Sequence, residues 1–232
     1  MTTLKPQKPF DAGERDALGF HLAFCVLCAA VLAAPLGLAP GPRLLILVVI
    51  YNAGLPLFAL LRRRPEWLGP WLFAAILSVF QVAPDWFLSA QLNILVFPED
   101  GLFKIGTVSG YMAGLWTIPL FVIVYTGLRI ESRFSARAAW PVVALASLLI
   151  FGGSEQTLWI LSSWYAVNVT MIGHVAVYIV LPEILLGLSA YHAYRVVRER
   201  SHWVKIPAAF IVMQLYLGSA AFFYFLFEKV LR

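Results

Sequence analysis

Two carboxylic acids bracket an apolar, aromatic stretch of this sequence that runs from Ser154 to Glu183. Glu155 lies near its start. His174 and Tyr178 follow, four residues apart and therefore on one helix face. Ionisable groups inside apolar segments are costly and usually have a function. Because loss of water favours the uncharged form of a carboxyl group, Glu183 is predicted to carry a proton that it can donate.

An acid, aromatic rings and a second carboxylate together fit a reaction that begins with protonation of a carbon–carbon double bond. Aromatic faces stabilise the carbocation that forms, and a carboxylate or histidine then removes a proton. Glu183 is the predicted proton donor, and the candidates for proton relay or removal are Asp85, Glu155 and His174. The predicted substrate-binding residues are Tyr111, Trp116, Tyr178, Trp86, Trp159 and Asn52.

Simpler interpretations of these acids stay open. Glu183 would also fit a structural hydrogen bond between helices, with Asn52 or Gln214 as its partner. Asp85 and Glu155 would also fit a place at the membrane surface, where lipid headgroups solvate them and neighbouring tryptophans act as anchors.

The sequence predicts neither a metal nor an organic cofactor. It has no aspartate-rich motif of the kind that binds magnesium diphosphate, and its histidines are too scattered for a metal site. Cys25 and Cys28 form a C-x-x-C pattern inside an apolar run. That setting favours packing by two small residues over a redox or metal role.

Composition places this chemistry in a membrane. Of the 232 residues, 61% are hydrophobic and 12% are charged, about half the charged fraction of a soluble domain. The chain is therefore predicted to be an all-α polytopic membrane protein that forms one domain over residues 1–232. Its net charge of +5 comes from clustered arginines, which indicate membrane topology rather than nucleic-acid binding. The expected partners are membrane lipids and a hydrophobic small molecule.

About seven segments of the chain have the ~20 apolar residues that a membrane-crossing helix needs. Residues 155–170 are more polar and aromatic, and are expected to lie along the membrane surface or to fold back into the protein. Glu183 falls about 12 residues into the sixth span, roughly 18 Å deep and near the bilayer centre. The third span continues a little beyond Ala83 if Pro84 only kinks the helix. The predicted spans are Ala17–Leu38, Arg43–Leu61, Leu68–Ala83, Ile105–Leu128, Ala138–Gly152, Met171–Tyr194 and Ile206–Phe227.

Positive charges orient these spans. The loops after the second, fourth and sixth spans hold ten arginines or lysines, whereas the opposite loops hold only Arg43 and Lys104. Since positively charged loops stay in the cytoplasm, the N-terminus is predicted to be cytoplasmic, in a bacterial cytoplasmic membrane. The ten are Arg62, Arg63, Arg64, Arg129, Arg133, Arg137, Arg195, Arg198, Arg200 and Lys205.

A degenerate internal repeat links the candidate residues. The pattern I-G-x-V-x-x-Y at residues 105–111 recurs 67 residues later, at 172–178. Trp116 in the first unit occupies the position of Glu183 in the second. Because repeats in membrane proteins place their site at the interface between copies, the two units are expected to share one site. The units cover about residues 68–128 and 138–196.

Each unit has an acid, an aromatic outer segment and then a glycine, and the second unit adds a proline–glutamate pair. These residues are Asp85, Phe97, Pro98 and Gly106 in the first unit, and Glu155, Trp164, Tyr165, Gly173, Pro182 and Glu183 in the second. Over about residues 70–195, this layout resembles the lycopene cyclase domain of heterodimeric and fungal-type cyclases and the related carotenoid hydratases. The resemblance implies repeated three-helix units and a proton-initiated reaction on an isoprenoid.

The sequence therefore favours a membrane-embedded isoprenoid-modifying enzyme, a proton-initiated cyclase, hydratase or isomerase that acts on a hydrophobic polyene. The alternative is a proton-coupled transporter or a membrane protein that binds a hydrophobic ligand, since buried acids in membranes also form proton pathways. Formation of a product would indicate the enzyme, and uptake driven by a pH gradient would indicate the transporter.

Overall fold

Seven long helices form most of the molecule. The computed structural model describes residues 10–231, and in that range seven helices are long and apolar enough to cross a membrane. The protein is accordingly an all-α integral membrane protein, as its composition predicts. The helices are α1 (Ala12–Ala33), α2 (Pro40–Leu61), α3 (Pro65–Gln91), α4 (Met112–Arg133), α5 (Ala136–Leu161), α6 (Val177–Val197) and α7 (His202–Val230).

Local sequence sets several helix starts. At the start of α1, Asp11 and Glu14 each accept a backbone N–H from the other in a capping box. Pro40 and Pro65 occupy the first positions of α2 and α3, where a missing N–H leaves no helical hydrogen bond unmade. The Ser135 hydroxyl caps α5 by accepting a backbone N–H at 3.1 Å. These boundaries therefore need no tertiary contact to define them.

Helices α3 to α7 form the bundle, and α1 and α2 lie at its side. In the bundle α4, α5, α6 and α7 each pack against the next, and α3 closes the ring by packing against α4 and α7. Helix α1 packs chiefly against α2. In the most apolar 18-residue stretch of α1, only 11% of the residues are buried within the protein, the smallest share among the seven helices. Most of the α1 surface is therefore turned outward.

The two ends of the bundle differ in charge. We name the end that holds Arg62 and Arg129 the basic end, and the opposite end, where α3 and α5 finish and α6 starts, the acidic end. At the basic end, Arg62 and Arg64 bond Asp16 at 2.8 and 2.7 Å, which joins α2 to α1. Arg129 bonds Glu14 at 3.2 Å, which joins α4 to α1. The basic end of α1 is therefore fixed to two other helices.

Residues 10–231 contain six short strands, which lie at the acidic end and which the sequence does not predict. Two antiparallel hairpins turn at Gly106 and Gly173, whose φ angles are +63° and +64°. Glycine adopts such angles without steric cost, which suits a two-residue hairpin turn. A third pair, β1 with β4, joins the segments that follow α3 and α5. The strands are β1 (Leu95–Val96), β2 (Lys104–Ile105), β3 (Val108–Ser109), β4 (Tyr165–Ala166), β5 (Met171–Ile172) and β6 (Val175–Ala176).

These hairpins correct the predicted helix starts. The predicted fourth and sixth spans begin at Ile105 and Met171, whereas α4 begins at Met112 and α6 at Val177. The reason is that each glycine turn reverses the chain before a helix can begin. Glu183 is thus six residues into α6, about 9 Å from its start rather than the predicted 18 Å.

Helices α3 and α5 extend further than predicted. Their predicted ends are Ala83 and Gly152, but each continues six residues beyond its acid, Asp85 in α3 and Glu155 in α5. Pro84 does not end α3 but accompanies a break in it: the α-helix is interrupted at Gln81 and resumes at Val82, as expected where a proline removes a hydrogen bond and crowds the preceding turn. Both acids therefore lie within helices rather than in the segments that follow them.

Candidate active site

Three of the predicted acids line one internal cavity near the acidic end. Asp85 on α3, Glu155 on α5 and Glu183 on α6 all border a cavity of about 560 Å³. Each acid lies six residues from the acidic-end terminus of its helix. The last residues of α3 and α5 are π-helical and 3₁₀-helical, so the rise per residue differs slightly, and this shared spacing brings the three carboxyl groups to about the same level in the bundle.

Two of the three carboxyl groups accept a hydrogen bond from an indole. Trp116 Nε1 donates to Asp85 Oδ2 at 3.0 Å, and Trp164 Nε1 donates to Glu155 Oε1 at 2.8 Å. The Glu183 side chain is only 4% exposed and has no hydrogen-bond partner among residues 10–231. The three carboxyl groups are close enough for their charges to interact. A desolvated site disfavours three negative charges at once.

Aromatic rings form much of the cavity wall. The Trp116 ring packs against Phe151 and Tyr216, with centroid distances of 5.5 and 6.0 Å. Tyr178 lines the cavity from α6, and its ring stands edge-on to Tyr224 at 5.7 Å. Aromatic faces attract a positive charge. The wall can therefore stabilise a cation that forms between the three acids.

The β1–β4 strand pair closes the cavity at the acidic end. Leu95 and Ala166 are partners in this pair, and both line the cavity together with Phe97 and Trp164. The Trp164 indole reaches from this cover to Glu155. The cover is therefore attached directly to one of the acids.

Helix α1 supplies a further wall that the predicted site does not include. The His21 ring stacks on Phe121 of α4 at a centroid distance of 5.8 Å, and its Nε2 lies 3.0 Å from the hydroxyl of Tyr51. No sequence pattern links α1 to the acids, since it precedes them by more than 50 residues. The α1 residues that line the cavity are His21, Phe24, Cys25 and Cys28.

Trp164 and Tyr216 also line the cavity and are missing from the predicted set of substrate-binding residues. The sequence gives a signal for Trp164, because it lies nine residues after Glu155 and an indole can donate to an acid. Tyr216 lies on α7, outside both predicted repeat units, and no pattern marks it.

His174, Trp159 and Trp86 lie outside the cavity lining. The His174 ring stacks on Trp159 with a centroid distance of 4.0 Å, in the turn of the β5–β6 hairpin. Trp86 follows Asp85 but points to the other side of α3, where it is 41% exposed and packs on the turn at Gly106. The structure therefore does not bring the imidazole of His174 to the three acids.

Tyr111 and Asn52 support the site without lining it. The Tyr111 hydroxyl donates to the Ser163 carbonyl at 3.1 Å, and burial raises the pKa of this phenol, so that it remains a donor. Asn52 Nδ2 donates to two backbone carbonyl groups, at 2.9 and 3.1 Å, and Gln214 is exposed. The structural hydrogen bond considered for Glu183, to Asn52 or Gln214, is therefore not formed.

The cavity suits an apolar molecule better than a metal. Within the described residues, no group of three or more His, Cys, Asp or Glu side chains is placed to hold a metal ion. The polar groups of the cavity are few and lie among leucine, isoleucine, valine and aromatic side chains. Such a lining, with a few convergent polar groups, is typical of small-molecule sites.

The three acids fall within one region that a family model matches. A model described as a domain of unknown function (DUF6989) matches residues 82–227, more than half of the chain. This region contains Asp85, Glu155 and Glu183 and leaves out α1 and α2. No curated protein matches the chain, and no solved structure matches it. The matching family has no assigned activity.

Proposed function

We propose a function for this chain, which belongs to the DUF6989 family, from the chemistry of its cavity: it is a membrane-embedded isoprenoid-modifying enzyme. The reaction is a proton-initiated cyclisation, hydration or isomerisation of a hydrophobic polyene. The observation that carries the proposal is the meeting of three carboxyl groups in one aromatic-lined cavity. The volume of about 560 Å³ lies within the usual range for small-molecule sites, about 300–1,000 Å³.

Glu183 is the proposed proton donor. Its carboxyl group accepts no hydrogen bond from residues 10–231 and lies close to two other carboxyl groups, and both conditions favour the protonated form. In the proposed step the Glu183 O–H bond breaks, a C–H bond forms at one end of a double bond, and a carbocation is left at the other end. The positive charge then lies among the rings of Trp116, Tyr178 and Tyr216.

Asp85 and Glu155 are the proposed proton acceptors. Each accepts an indole N–H, and a hydrogen bond to a carboxylate favours its charged form. In a cyclisation or isomerisation, one of them takes a proton from the carbon beside the cation, and the C–H electron pair becomes the new double bond. In a hydration, it takes a proton from the water that adds to the cation. Proton return to Glu183 then completes the cycle.

The same proposal includes an orientation and a repeat. The basic end faces the cytoplasm of a bacterial cell because arginine-rich loops are retained there, and the acidic end faces outward. Residues 68–128 and 138–196 are proposed to be copies of one unit. This proposed repeat is supported by the two hairpins, whose glycine turns have nearly equal φ angles. The loose resemblance to lycopene cyclase domains belongs to this proposal and suggests the polyene substrate.

Product formation in heavy water tests the proposal. Purified protein is incubated in D₂O with a panel of polyenes, sterols and prenylquinones. The products are separated by chromatography, and their masses are measured by mass spectrometry. The expected result is a cyclised, hydrated or isomerised product that carries one deuterium on carbon, because the initiating proton becomes part of the product. A product that carries no deuterium would contradict initiation by protonation.

The transporter hypothesis predicts a different result in the same membrane preparation. Proteoliposomes with a pH gradient would take up a panel compound unchanged, and collapse of the gradient would stop the uptake. Gradient-driven uptake without any new product would overturn the proposed enzyme function.

A further inference from the structure

We infer that the cavity opens sideways into the bilayer, through a gap between α1 and the neighbouring helices α4 and α5, and that its ligand enters from the lipid phase. We name this gap the lateral portal, and its rim is formed by Cys25, Cys28, Val122 and Ile150. The inference rests on the proposed function only for the class of ligand, a flexible isoprenoid chain dissolved in the membrane. The opening itself is argued from the cavity walls.

Closure at the acidic end is the first observation. The β1–β4 pair places Leu95, Phe97 and Ala166 over the cavity. The Trp164–Glu155 hydrogen bond fixes this cover to α5, and the buried bond from Tyr111 to Ser163 fixes the chain just before β4. A ligand that entered from water at this end would have to break these contacts.

The thin wall at α1 is the second observation. Cys25 lines the cavity although it is exposed on the protein surface, and Cys28 lines it while half-buried. One helix position therefore belongs both to the cavity and to the lipid-facing surface. Val122 and Ile150 line the cavity from α4 and α5 and are also only half-buried.

The loose packing of α1 is the third observation. Helix α1 contacts α4 through the ion pair of Glu14 with Arg129 at the basic end and through the stacked rings of His21 and Phe121 near the middle of both helices. Beyond His21, the α1 residues that face the cavity are Phe24, Cys25 and Cys28, which are smaller toward the acidic end of the helix. Small side chains on a weakly packed helix leave room for an apolar chain to pass.

The two cysteines allow a direct test, since they are the only ones in the chain. Protein in liposomes is treated with N-dodecylmaleimide, which dissolves in lipid, or with a sulfonated maleimide that does not cross membranes, and each thiol is followed by mass spectrometry. Cys25 faces lipid and controls for the low reactivity of thiols in a membrane. An open portal predicts that the lipid-soluble reagent labels Cys28 as well as Cys25.

Labelling of Cys25 alone would mean that the gap is closed and would overturn the inference. Faster labelling of Cys28 by the sulfonated reagent would overturn it too, because the cavity would then open to water. Neither result depends on the enzyme function, so the portal can fail while the proposed chemistry stands.

Ligand kinetics provide a second test. All-trans-retinol serves as the probe, because a polyene that enters the cavity quenches the fluorescence of Trp116 and Trp164 by energy transfer. Cys25→Trp narrows the rim, and Val26→Trp, on the outward face where Val26 is 70% exposed, is the matched control. A portal predicts that Cys25→Trp slows association and dissociation alike, by about tenfold, and leaves Kd within about twofold.

A weaker Kd with unchanged association would make Cys25 a contact of the bound ligand and would contradict the portal. An equal effect of Val26→Trp would contradict it as well. If the wild-type protein binds no polyene at all, the ligand class and the proposed function fail together, and the maleimide result alone decides whether the opening exists.

Discussion

The two halves of the acidic end share the same order of elements and differ in how they hold a carboxyl group. In each half an acid lies within a helix, a strand begins ten residues after it, and a glycine-turned hairpin leads into the next helix. In the first half Trp116 follows and donates its N–H to Asp85. In the second half, the position 67 residues after Trp116 holds Glu183.

This difference separates a paired acid from an unpaired one. In the first half, Trp116 donates its indole N–H to Asp85, the acid of that half that lines the cavity. In the second half, Glu155 accepts a hydrogen bond from the indole of Trp164, which lies between Glu155 and β4. Glu183 has no hydrogen-bond partner among the described residues. One position therefore holds an indole donor in the first half and a second carboxyl group in the second half.

The largest expected effect comes from Glu183→Gln. Glutamine keeps the size of the side chain but cannot donate a carboxyl proton, so turnover of the polyene should fall by about 10²–10⁴-fold, the usual contribution of a general acid. Product formation is measured beside retinol binding, which should persist. The matched variant Glu155→Gln should lose less activity, because Asp85 remains as an acceptor. Equal losses in the two variants would remove the proposed distinction between donor and acceptor.

The next effect concerns the two indole donors. Trp116→Phe keeps an aromatic ring but leaves Asp85 without its hydrogen bond, which should lower the free energy of unfolding by about 1–3 kcal/mol and reduce turnover. Trp164→Phe should lower the free energy of unfolding by less, because Glu155 is half-buried whereas Asp85 is 2% exposed. Unfolding in detergent and product formation measure both variants. A larger loss of stability in Trp164→Phe would contradict the expectation that the hydrogen bond to the more deeply buried acid contributes more to stability.

A smaller effect is expected at the two glycine turns. Alanine at Gly106 or Gly173 adopts a left-handed conformation at a cost of about 1–2 kcal/mol. The added Cβ would lie 2.6 Å from the Trp86 ring in the first case and 2.6 Å from Oε1 of Gln156 in the second. A rigid ring yields less than a flexible amide, so Gly106→Ala should lower the melting temperature more. The reverse order would show that the two turns are not equivalent in packing.

The smallest effect is expected from His174→Ala. The imidazole stacks on Trp159 outside the cavity lining, so stability should change by about 0.5 kcal/mol or less and turnover should stay near the wild-type value. Product formation across the pH range is the measurement. A large loss of turnover, with the fold intact, would show that His174 takes part in proton transfer.

Much of the site follows from the sequence because membrane burial makes ionisable residues informative. Asp85, Glu155 and Glu183 stand out as acids near apolar segments, and all three line one cavity in the structure. Trp116 and Tyr178 stand out through the repeated pattern and lie beside them. In a chain of this composition, few polar residues are present, and each requires an explanation.

The hairpins do not follow from the sequence, because short apolar strands and the first turn of an apolar helix look alike. The I-G-x-V segments read as the beginnings of spans, and only the positive φ of their glycines reveals turns. Because the predicted start of the sixth helix is too early, the sequence places Glu183 deeper in the helix than the structure does, and away from the level of Asp85 and Glu155. The wall that α1 contributes also escapes sequence reasoning, since contact between His21 and the cavity depends on tertiary packing alone.

The protonation of Glu183 tests the central claim most directly, and it needs no substrate. Infrared spectra of the protein in membranes at neutral pH are compared for the wild type, Glu183→Gln and Asp85→Asn, in H₂O and in D₂O. We predict that the wild type shows the C=O stretch of a protonated carboxylic acid, that Glu183→Gln lacks this band, and that Asp85→Asn keeps it. A band that survives in Glu183→Gln but vanishes in Asp85→Asn would contradict the assignment of Glu183 as the proton donor.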